Sequence, residues 1–255
     1  MSDTRIDPYI ELRTFCDMWR DALAMKLAAE NRVRSCTIPA ATFDNHIANL
    51  DEVENQIRKA MIRCYRRVAS PAVRAWQQKV PGLGEHLMAR LLGSLGDPVR
   101  ATPHRYEGTG SDRVLVDLEP FDRNPYKLFA YCGVGDPTRR RRRGMTAEDA
   151  FAAGNPECKV VIHLLAEACV KQLGREGAVY RQVYDDTKAH YEKTRVADAI
   201  AAGEEPWSKL HVHNAALRRV KKAILLDLWR VSRGLEPRGA RRPQEMPPDP
   251  VEEAA

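Results

Sequence analysis

Five consecutive residues, Val80-Pro81-Gly82-Leu83-Gly84, impose the tightest local constraint on this chain. On their N-terminal side, Val73 and Trp76 are spaced as the buried side of a short helix, and Ser70-Pro71 marks its start. On their C-terminal side, apolar residues recur at helical spacing until Gly96-Asp97-Pro98 stops the pattern. The sequence therefore predicts two short helices joined by a tight glycine turn, the arrangement called a helix-hairpin-helix.

This glycine turn is suited to holding an anion. Glycine lets the backbone turn sharply and leaves no side chain between the backbone amides and a ligand. Free N–H groups at the start of the second helix, reinforced by the helix dipole, attract a phosphate oxygen without reading a base sequence. The alternative is that the turn merely joins two packed helices. On the first interpretation, backbone phosphates contact Lys79, Pro81, Gly82, Leu83 and Gly84.

Basic residues are segregated along the chain. The 41 Lys and Arg against 35 Asp and Glu give a net charge of +6, which alone is a weak indication of a polyanionic partner. Between Ile57 and Lys79, however, seven basic residues occur and no acidic one. An arginine run and the flanks of the last helix would also be neutralised favourably by phosphates, although the run has an alternative explanation as a solvated loop. These two clusters add the candidate contacts Arg139, Arg140, Arg141, Arg142, Arg143, Arg218, Arg219, Lys221 and Lys222.

The rest of the pattern is mainly helical. Apolar residues from Leu12 to Leu27 predict one amphipathic helix over about residues 8 to 30. After Pro39, Thr42 is suited to cap a long helix with a heptad of apolar residues, in which Glu54 is the single polar breach. That heptad predicts either an intramolecular hairpin with the first helix or a short dimeric coiled coil. Farther along, the alternation over Val114–Leu118 predicts a strand in a small hairpin.

The predicted fold is therefore mainly α, in three parts. A helical hairpin or coiled coil covers residues 1–70, and a helix-hairpin-helix domain with a small β-hairpin insertion at 99–125 covers residues 71–233. A proline-rich, disordered tail follows over 234–255. We expect no membrane span, no secretion signal and a cytoplasmic, nucleoid-associated protein. His211 and His213 lack further ligands at suitable spacing and the cysteines form no C-x-x-C pair, so neither a metal nor a cofactor is expected.

Several longer segments carry a family resemblance. In chain order they are V-P-G-L-G-E-H-L-M-A-R-L-L-G-S-L-G-D-P, K-L-F-A-Y-C-G-V, a basic loop, G-N-P-E-C-K and A-L-R-R-V-K-K-A-I-L-L-D-L-W. From about Asn45 to Arg233 the chain resembles the C-terminal part of the insertion sequence 110 / insertion sequence 116 family of transposases. In that family a RuvC-like domain with four acidic residues precedes a coiled coil used in dimerisation, and a C-terminal domain supplies a catalytic serine after the A-Y-x-G element. The resemblance implies DNA recombination guided by a structured RNA, with a homodimer through residues 42–69.

Two departures from the family pattern bear on catalysis. Only about 40 residues, predicted as helix, precede the coiled-coil segment, so the RuvC-like domain is expected to be missing. No serine occurs between Ser111 and Ser208, and the loop expected to hold the nucleophile offers only Thr138, with Thr146 just beyond it. Replacing a positioned nucleophile removes most of the rate. The resemblance thus implies a DNA-binding module, with DNA and structured RNA as partners, that is not catalytically competent alone.

Other functions stay open from the sequence. One is a recombinase component that works with a partner and uses Thr138 or Thr146. Another is a helix-hairpin-helix DNA glycosylase with Asp117 as its carboxylate, although the distance of Asp117 from the hairpin and the missing lysine nucleophile argue against it. A third is a structural helical protein in which the hairpin only packs.

Overall fold

The computed structural model describes residues 8–35, 40–101, 104–107, 114–136, 142–146, 149–150 and 153–239. The predicted mainly α fold with a small β-hairpin is confirmed in this part of the chain. Its helices are α1 (Pro8–Arg34), α2 (Asp44–Val68), α3 (Pro71–Lys79), α4 (Glu85–Leu95), α5 (Pro125–Tyr131), α6 (Pro156–Val170), α7 (Val179–Tyr191), α8 (Asp198–Ala201) and α9 (Lys209–Ser232). A 3-10 turn covers Ala40–Phe43, and a π-helical turn covers Glu192–Ala197. None of the described helices is both long and apolar enough to cross a bilayer.

Four short strands lie within the predicted insertion. Strand β2 (His104–Glu107) pairs antiparallel with β3 (Val114–Asp117), with His104 opposite Asp117. Strand β1 (Arg100–Ala101) pairs antiparallel with β4 (Phe121–Asp122), which closes the base of the insertion. The insertion therefore leaves the helical body after α4 and returns to it at α5.

The heptad of α2 packs against α1 within the same chain. Met61, Cys64 and Tyr65 on this stripe are buried, and the Trp19 indole N–H donates to a Glu54 carboxylate oxygen at 2.6 Å. That hydrogen bond explains the polar breach in the heptad. The structure has the intramolecular hairpin, so the heptad by itself gives no reason to expect the predicted homodimer through residues 42–69.

Thr42 does not cap α2 as predicted. The helix begins at Asp44, and the residue before it makes no side-chain capping hydrogen bond. Thr42 instead lies inside the 3-10 turn that leads into the helix. The prediction is wrong because this extra turn moves the start of the helix beyond the reach of the threonine hydroxyl.

Helix α4 occupies the centre of the helical body. Met88, Leu91, Leu92 and Leu95 are at most 1% exposed, and the helix contacts α1, α2 and α6. Close packing with α1 needs a residue without a side chain, because a Cβ on Gly93 would lie 2.6 Å from the nearest α1 sulfur. The second helix of the hairpin is therefore held rigidly in the core, and its N-terminus keeps a fixed position relative to α1, α2 and α6.

Three of the segments quoted in the sequence analysis meet at one junction. The Asn155 carboxamide oxygen accepts the first N–H groups of α6 at 2.9 and 3.1 Å, and its nitrogen donates to the Tyr131 hydroxyl at 3.1 Å. That hydroxyl donates to the Ser94 carbonyl on α4 at 3.2 Å. Gly154, at a φ of 86°, packs so closely that a Cβ would lie 2.7 Å from the Ala130 carbonyl oxygen. These residues join α4, α5 and α6.

The chain after α9 folds back onto that helix. The buried Asp227 carboxylate accepts hydrogen bonds from the Tyr180 hydroxyl at 2.9 Å, the Arg238 N–H at 2.6 Å and the Gly239 N–H at 3.2 Å. Burial raises the pKa of Asp227, while these hydrogen bonds oppose the rise. The predicted disorder is wrong up to residue 239, because a buried acceptor binds this backbone. Residues 240–255 lie outside the described part.

Candidate nucleic-acid interface

The predicted hairpin is present as a helix, a tight turn and a helix. Helix α3 ends at Lys79, Gly82 adopts a φ of 96°, and α4 begins at Glu85 with Gly84 as its N-cap. Within the turn, the Leu83 N–H donates to the Val80 carbonyl at 3.2 Å, and the Gly84 N–H donates to the Gly82 carbonyl at 3.1 Å. A left-handed residue at Gly82 is what allows so short a connection.

The inner side of the turn is packed. A Cβ on Gly82 would lie 2.6 Å from the Cα of Cys169, near the end of α6. The Leu83 side chain is 2% exposed, and its carbonyl accepts a hydrogen bond from the Gln77 amide at 2.6 Å. The prediction that Leu83 contacts phosphate is therefore wrong, because its side chain and both of its backbone polar groups are used within the protein.

The outer side of the turn is open. Gly84 is exposed, and no heavy atom lies within 4 Å of the position of a Cβ there. No side chain caps α4, and the N–H groups of Glu85, His86 and Leu87 have no acceptor among the described residues. The prediction that the Gly84 N–H binds phosphate is wrong, because this N–H already donates to the Gly82 carbonyl inside the turn. The available amides are those of the next three residues.

A carboxylate already lies at the start of α4. Glu85 accepts two hydrogen bonds from the Arg66 guanidinium, from Nε at 2.8 Å and from Nη2 at 2.6 Å. The bonds from Arg66 hold the pKa of Glu85 below its ordinary value. Sequence reasoning missed this pair, although an acidic residue in the first turn of a helix was a visible signal. This ion pair joins the hairpin to α2. In it, the positive charge of Arg66 offsets the negative charge of Glu85 beside the free amides.

Exposed cations extend from this pair along α2. We call Arg58, Lys59, Arg63 and Arg66 the α2 basic face; all four are exposed. On the other side of the hairpin, the exposed Lys79 is followed by the partly exposed Pro81, and a turn near Gly177 packs against both. The α2 basic face thus lies beside the hairpin, and Lys79 adds one exposed cation at the end of α3. Of these five cations, only Lys79 was among the predicted contacts.

The predicted contacts on the last helix divide into two groups. Lys222 is 6% exposed, and its ammonium lies 5.8 Å from the centre of the Phe129 ring. Its assignment as a backbone contact is wrong, because it lies on the side of α9 that packs against α5. Arg218, Arg219 and Lys221 are partly exposed. The charges that act on Lys221 come from Lys159 and Glu167 on α6 and from Arg218 on its own helix.

The arginine run and the candidate nucleophiles are only partly described. Thr138, Arg139, Arg140 and Arg141 lie outside the described residues, whereas Arg142 and Arg143 are exposed. The Thr146 hydroxyl donates to the Asp149 carboxylate at 2.9 Å and accepts the Asp149 N–H at 3.1 Å, so it caps a helical turn. Asp117 lies in β3, away in sequence from the hairpin.

The histidine pair has local partners. The Nδ1 atom of His213 lies 2.8 Å from the Tyr184 hydroxyl, and the His211 ring packs edge-on to Trp207 with a centroid separation of 6.4 Å. In the described ranges, no three His, Cys, Asp or Glu side chains gather as a metal site.

No protein-family model, curated protein or solved structure matches this chain. The interpretation of the hairpin therefore depends on its own geometry and charge.

Proposed function

We propose that this chain binds nucleic acid, with duplex DNA as its main ligand, and contacts the phosphate backbone through the α3–α4 hairpin. One observation carries the proposal: α4 begins at an exposed, uncapped glycine directly beside the α2 basic face. Free amides at a helix N-terminus and neighbouring arginines are the groups that proteins use to bind phosphate. The resemblance to transposases agrees with it and suggests a DNA-binding module of that kind, associated with the nucleoid.

The proposed contacts would position DNA without reading its sequence. Backbone amides and cations bind phosphate oxygens, which are the same at every base pair. The free amides of α4 would fix one phosphate, and the α2 basic face would neutralise its neighbours. Structured RNA offers the same chemical groups and is the second candidate ligand. No catalytic step is proposed, because the Thr146 hydroxyl is engaged in capping and no observation favours its use as a nucleophile.

Binding should depend steeply on salt. If about four phosphates are neutralised, the association constant should fall about 100-fold between 50 and 200 mM monovalent salt. Fluorescence anisotropy with two unrelated duplexes, a single strand and a folded RNA hairpin measures this dependence. We expect the two duplexes to bind within about threefold of each other, since backbone contacts do not distinguish bases. If the protein binds duplex DNA no more tightly than a neutral protein does, the hairpin has only a packing role.

Removing the carboxylate beside the free amides should strengthen binding. In Glu85→Gln the start of α4 loses a negative charge and Arg66 gains freedom to contact phosphate, so duplex affinity should rise roughly three- to tenfold. The fold should lose at most about 1 kcal/mol, because the helix dipole no longer has its favourable partner. Anisotropy and urea unfolding measure the two effects. The matched control is Glu192→Gln, which removes another paired carboxylate far along the chain; equal gains in both variants would indicate a general charge effect.

A further inference from the structure

The turn between α6 and α7 packs against the hairpin at two points. We call residues 171–178 the α6–α7 turn. Just before it, at the end of α6, the Cα of Cys169 would lie 2.6 Å from a Cβ on Gly82. Near its end, a Cβ on Gly177 would lie 3.3 Å from the Lys79 carbonyl oxygen and 3.6 Å from the Cδ of Pro81. These contacts place the α6–α7 turn directly beside the hairpin.

Hydrogen bonds hold the α6–α7 turn in one shape. The Gln172 N–H donates to the Cys169 carbonyl at 3.1 Å, and the Arg175 N–H donates to the Gln172 carbonyl at 3.3 Å. The Arg181 guanidinium on α7 donates to the Val170 carbonyl at the end of α6 at 2.9 Å. The tip of the turn therefore has a defined position relative to both helices and to the hairpin.

An apolar side chain occupies this tip. Leu173 is 71% exposed, more than any other large hydrophobic residue in the described part of the chain. The next residue, Gly174, has no heavy atom within 4 Å of the position of a Cβ, so the space around the tip is open. Isolated exposed leucines are common on proteins, and the position of Leu173 beside the hairpin is what distinguishes it. A ligand that covered this side chain would gain the free energy of removing its apolar surface from water.

Cations lie on both sides of Leu173 in the sequence of the turn. Lys171 and Arg175 are exposed, two residues before it and two residues after it. The turn also contains the carboxylate of Glu176, which is exposed as well. Together with the exposed Lys79 of the hairpin, the turn therefore presents three cations and one carboxylate around an apolar tip.

This arrangement matches the minor groove of duplex DNA. Phosphates follow both edges of the groove, and lysine and arginine side chains bind them. The minor groove is about 6 Å wide, which admits a leucine side chain but excludes a helix. Proteins that bind there insert apolar side chains, leucine among them, between neighbouring base pairs and partly unstack them.

We propose that the α6–α7 turn is a second contact of the nucleic-acid interface, in which Leu173 enters the minor groove as an apolar wedge and Lys171 and Arg175 bind the flanking phosphates. This inference rests on the proposed function for the identity of its ligand. It adds a distortion of the duplex to that function, because a wedge between base pairs separates them. The hairpin would fix the backbone beside the wedge.

Base unstacking measures the wedge directly. A short duplex with 2-aminopurine at a central TA step, which unstacks easily, should become more fluorescent when saturated with wild-type protein. Leu173→Ala should remove this increase at saturation and weaken binding roughly tenfold. The salt slope should stay unchanged in this variant, because the lost side chain is uncharged.

The matched control for the wedge is Leu210→Ala at the start of α9, where the leucine is 64% exposed. This control should match wild type in affinity and in fluorescence. Both alanine variants should unfold within about 2 °C of wild type, since exposed side chains contribute little to stability. A wild-type complex without the fluorescence increase, or a Leu173→Ala complex that retains it, would overturn the wedge.

The flanking cations should act through the salt dependence. In the double variant Lys171→Gln/Arg175→Gln, the salt slope should decrease by about two and duplex affinity at low salt should fall roughly tenfold. The matched control is Lys193→Gln/Lys209→Gln, which removes two exposed lysines that follow α7. Its salt slope should change by less than about one half. Equal decreases in the two double variants would refute phosphate contacts at the turn.

The variant Glu85→Gln separates this inference from the proposed function. If it strengthens duplex binding while the variants of Leu173, Lys171 and Arg175 bind as wild type does, the turn contact is refuted and the proposed function stands. If the variants of the turn lose binding and Glu85→Gln has no effect, the turn contact stands and the hairpin contact fails. If wild type binds no duplex, both fail.

Discussion

Gly84→Asp is expected to abolish duplex binding and to leave the protein as stable as wild type. Gly84 has backbone angles of −71° and 141°, which any residue adopts, and a side chain there would point into open space. Aspartate is a preferred N-cap residue, so the substitution should stabilise α4 by a few tenths of a kcal/mol. Its carboxylate would accept the free amides of α4 and repel an approaching phosphate.

The matched control is Gly84→Asn, which has the same size and capping ability without the charge. We expect Asn, which occupies an amide without adding charge, to weaken duplex binding by about tenfold, and Asp to weaken it by roughly 100-fold or more, since like charges in contact cost several kcal/mol. Anisotropy at low salt measures affinity, and thermal unfolding measures stability. Equal losses in the two variants would mean that the side chain acts by occupying space. An Asp variant that binds like wild type would show that phosphate does not approach α4.

The helices around the hairpin were predictable because their signals are local. Pro71 restricts φ at the start of α3, and Gly82 in the turn and Gly96 after α4 permit the positive φ that these positions need. The apolar spacing between them gives the buried side of each helix. Such signals do not depend on what packs nearby, which is why the α3–α4 geometry agrees with the sequence.

The composition of the interface was less predictable because it depends on contacts distant in sequence. In the sequence, Leu83 resembles an exposed turn residue. In the structure its side chain is buried in the core and its carbonyl accepts a hydrogen bond from Gln77. Lys222 and Lys221 are adjacent, yet a rotation of about 100° around the helix separates the lysine above Phe129 from the one that interacts with charges on α6. The pattern of α9 alone gave both lysines the same role. Only the position of neighbouring helices distinguishes them.

Gly82 shows how one residue carries two requirements. From the sequence, access of a ligand to the backbone is the expected reason for this glycine. In the structure its Cα faces the end of α6, where an added Cβ would lie 2.6 Å from the Cα of Cys169 and 2.7 Å from its nitrogen. Gly82 therefore sets the distance between the hairpin and α6, whereas Gly84 leaves the outer side open. A variant that changes both glycines would mix loss of folding with loss of binding.

Gly82→Ala should destabilise the fold by about 2–5 kcal/mol, the largest stability effect that we expect from a single methyl group here. The left-handed conformation costs a side chain about 1–2 kcal/mol, and displacing the α6 backbone adds about 1–3 kcal/mol. Gly174→Ala is the matched control, because Gly174 has a φ of 72° but no heavy atom within 4 Å of its Cβ position. It should lose only the conformational part, about 1–2 kcal/mol. Urea unfolding of both variants measures the difference. Since backbone atoms at Cys169 cannot rotate away as a flexible side chain would, equal losses in the two variants would mean that the hairpin does not pack on α6 as closely as described.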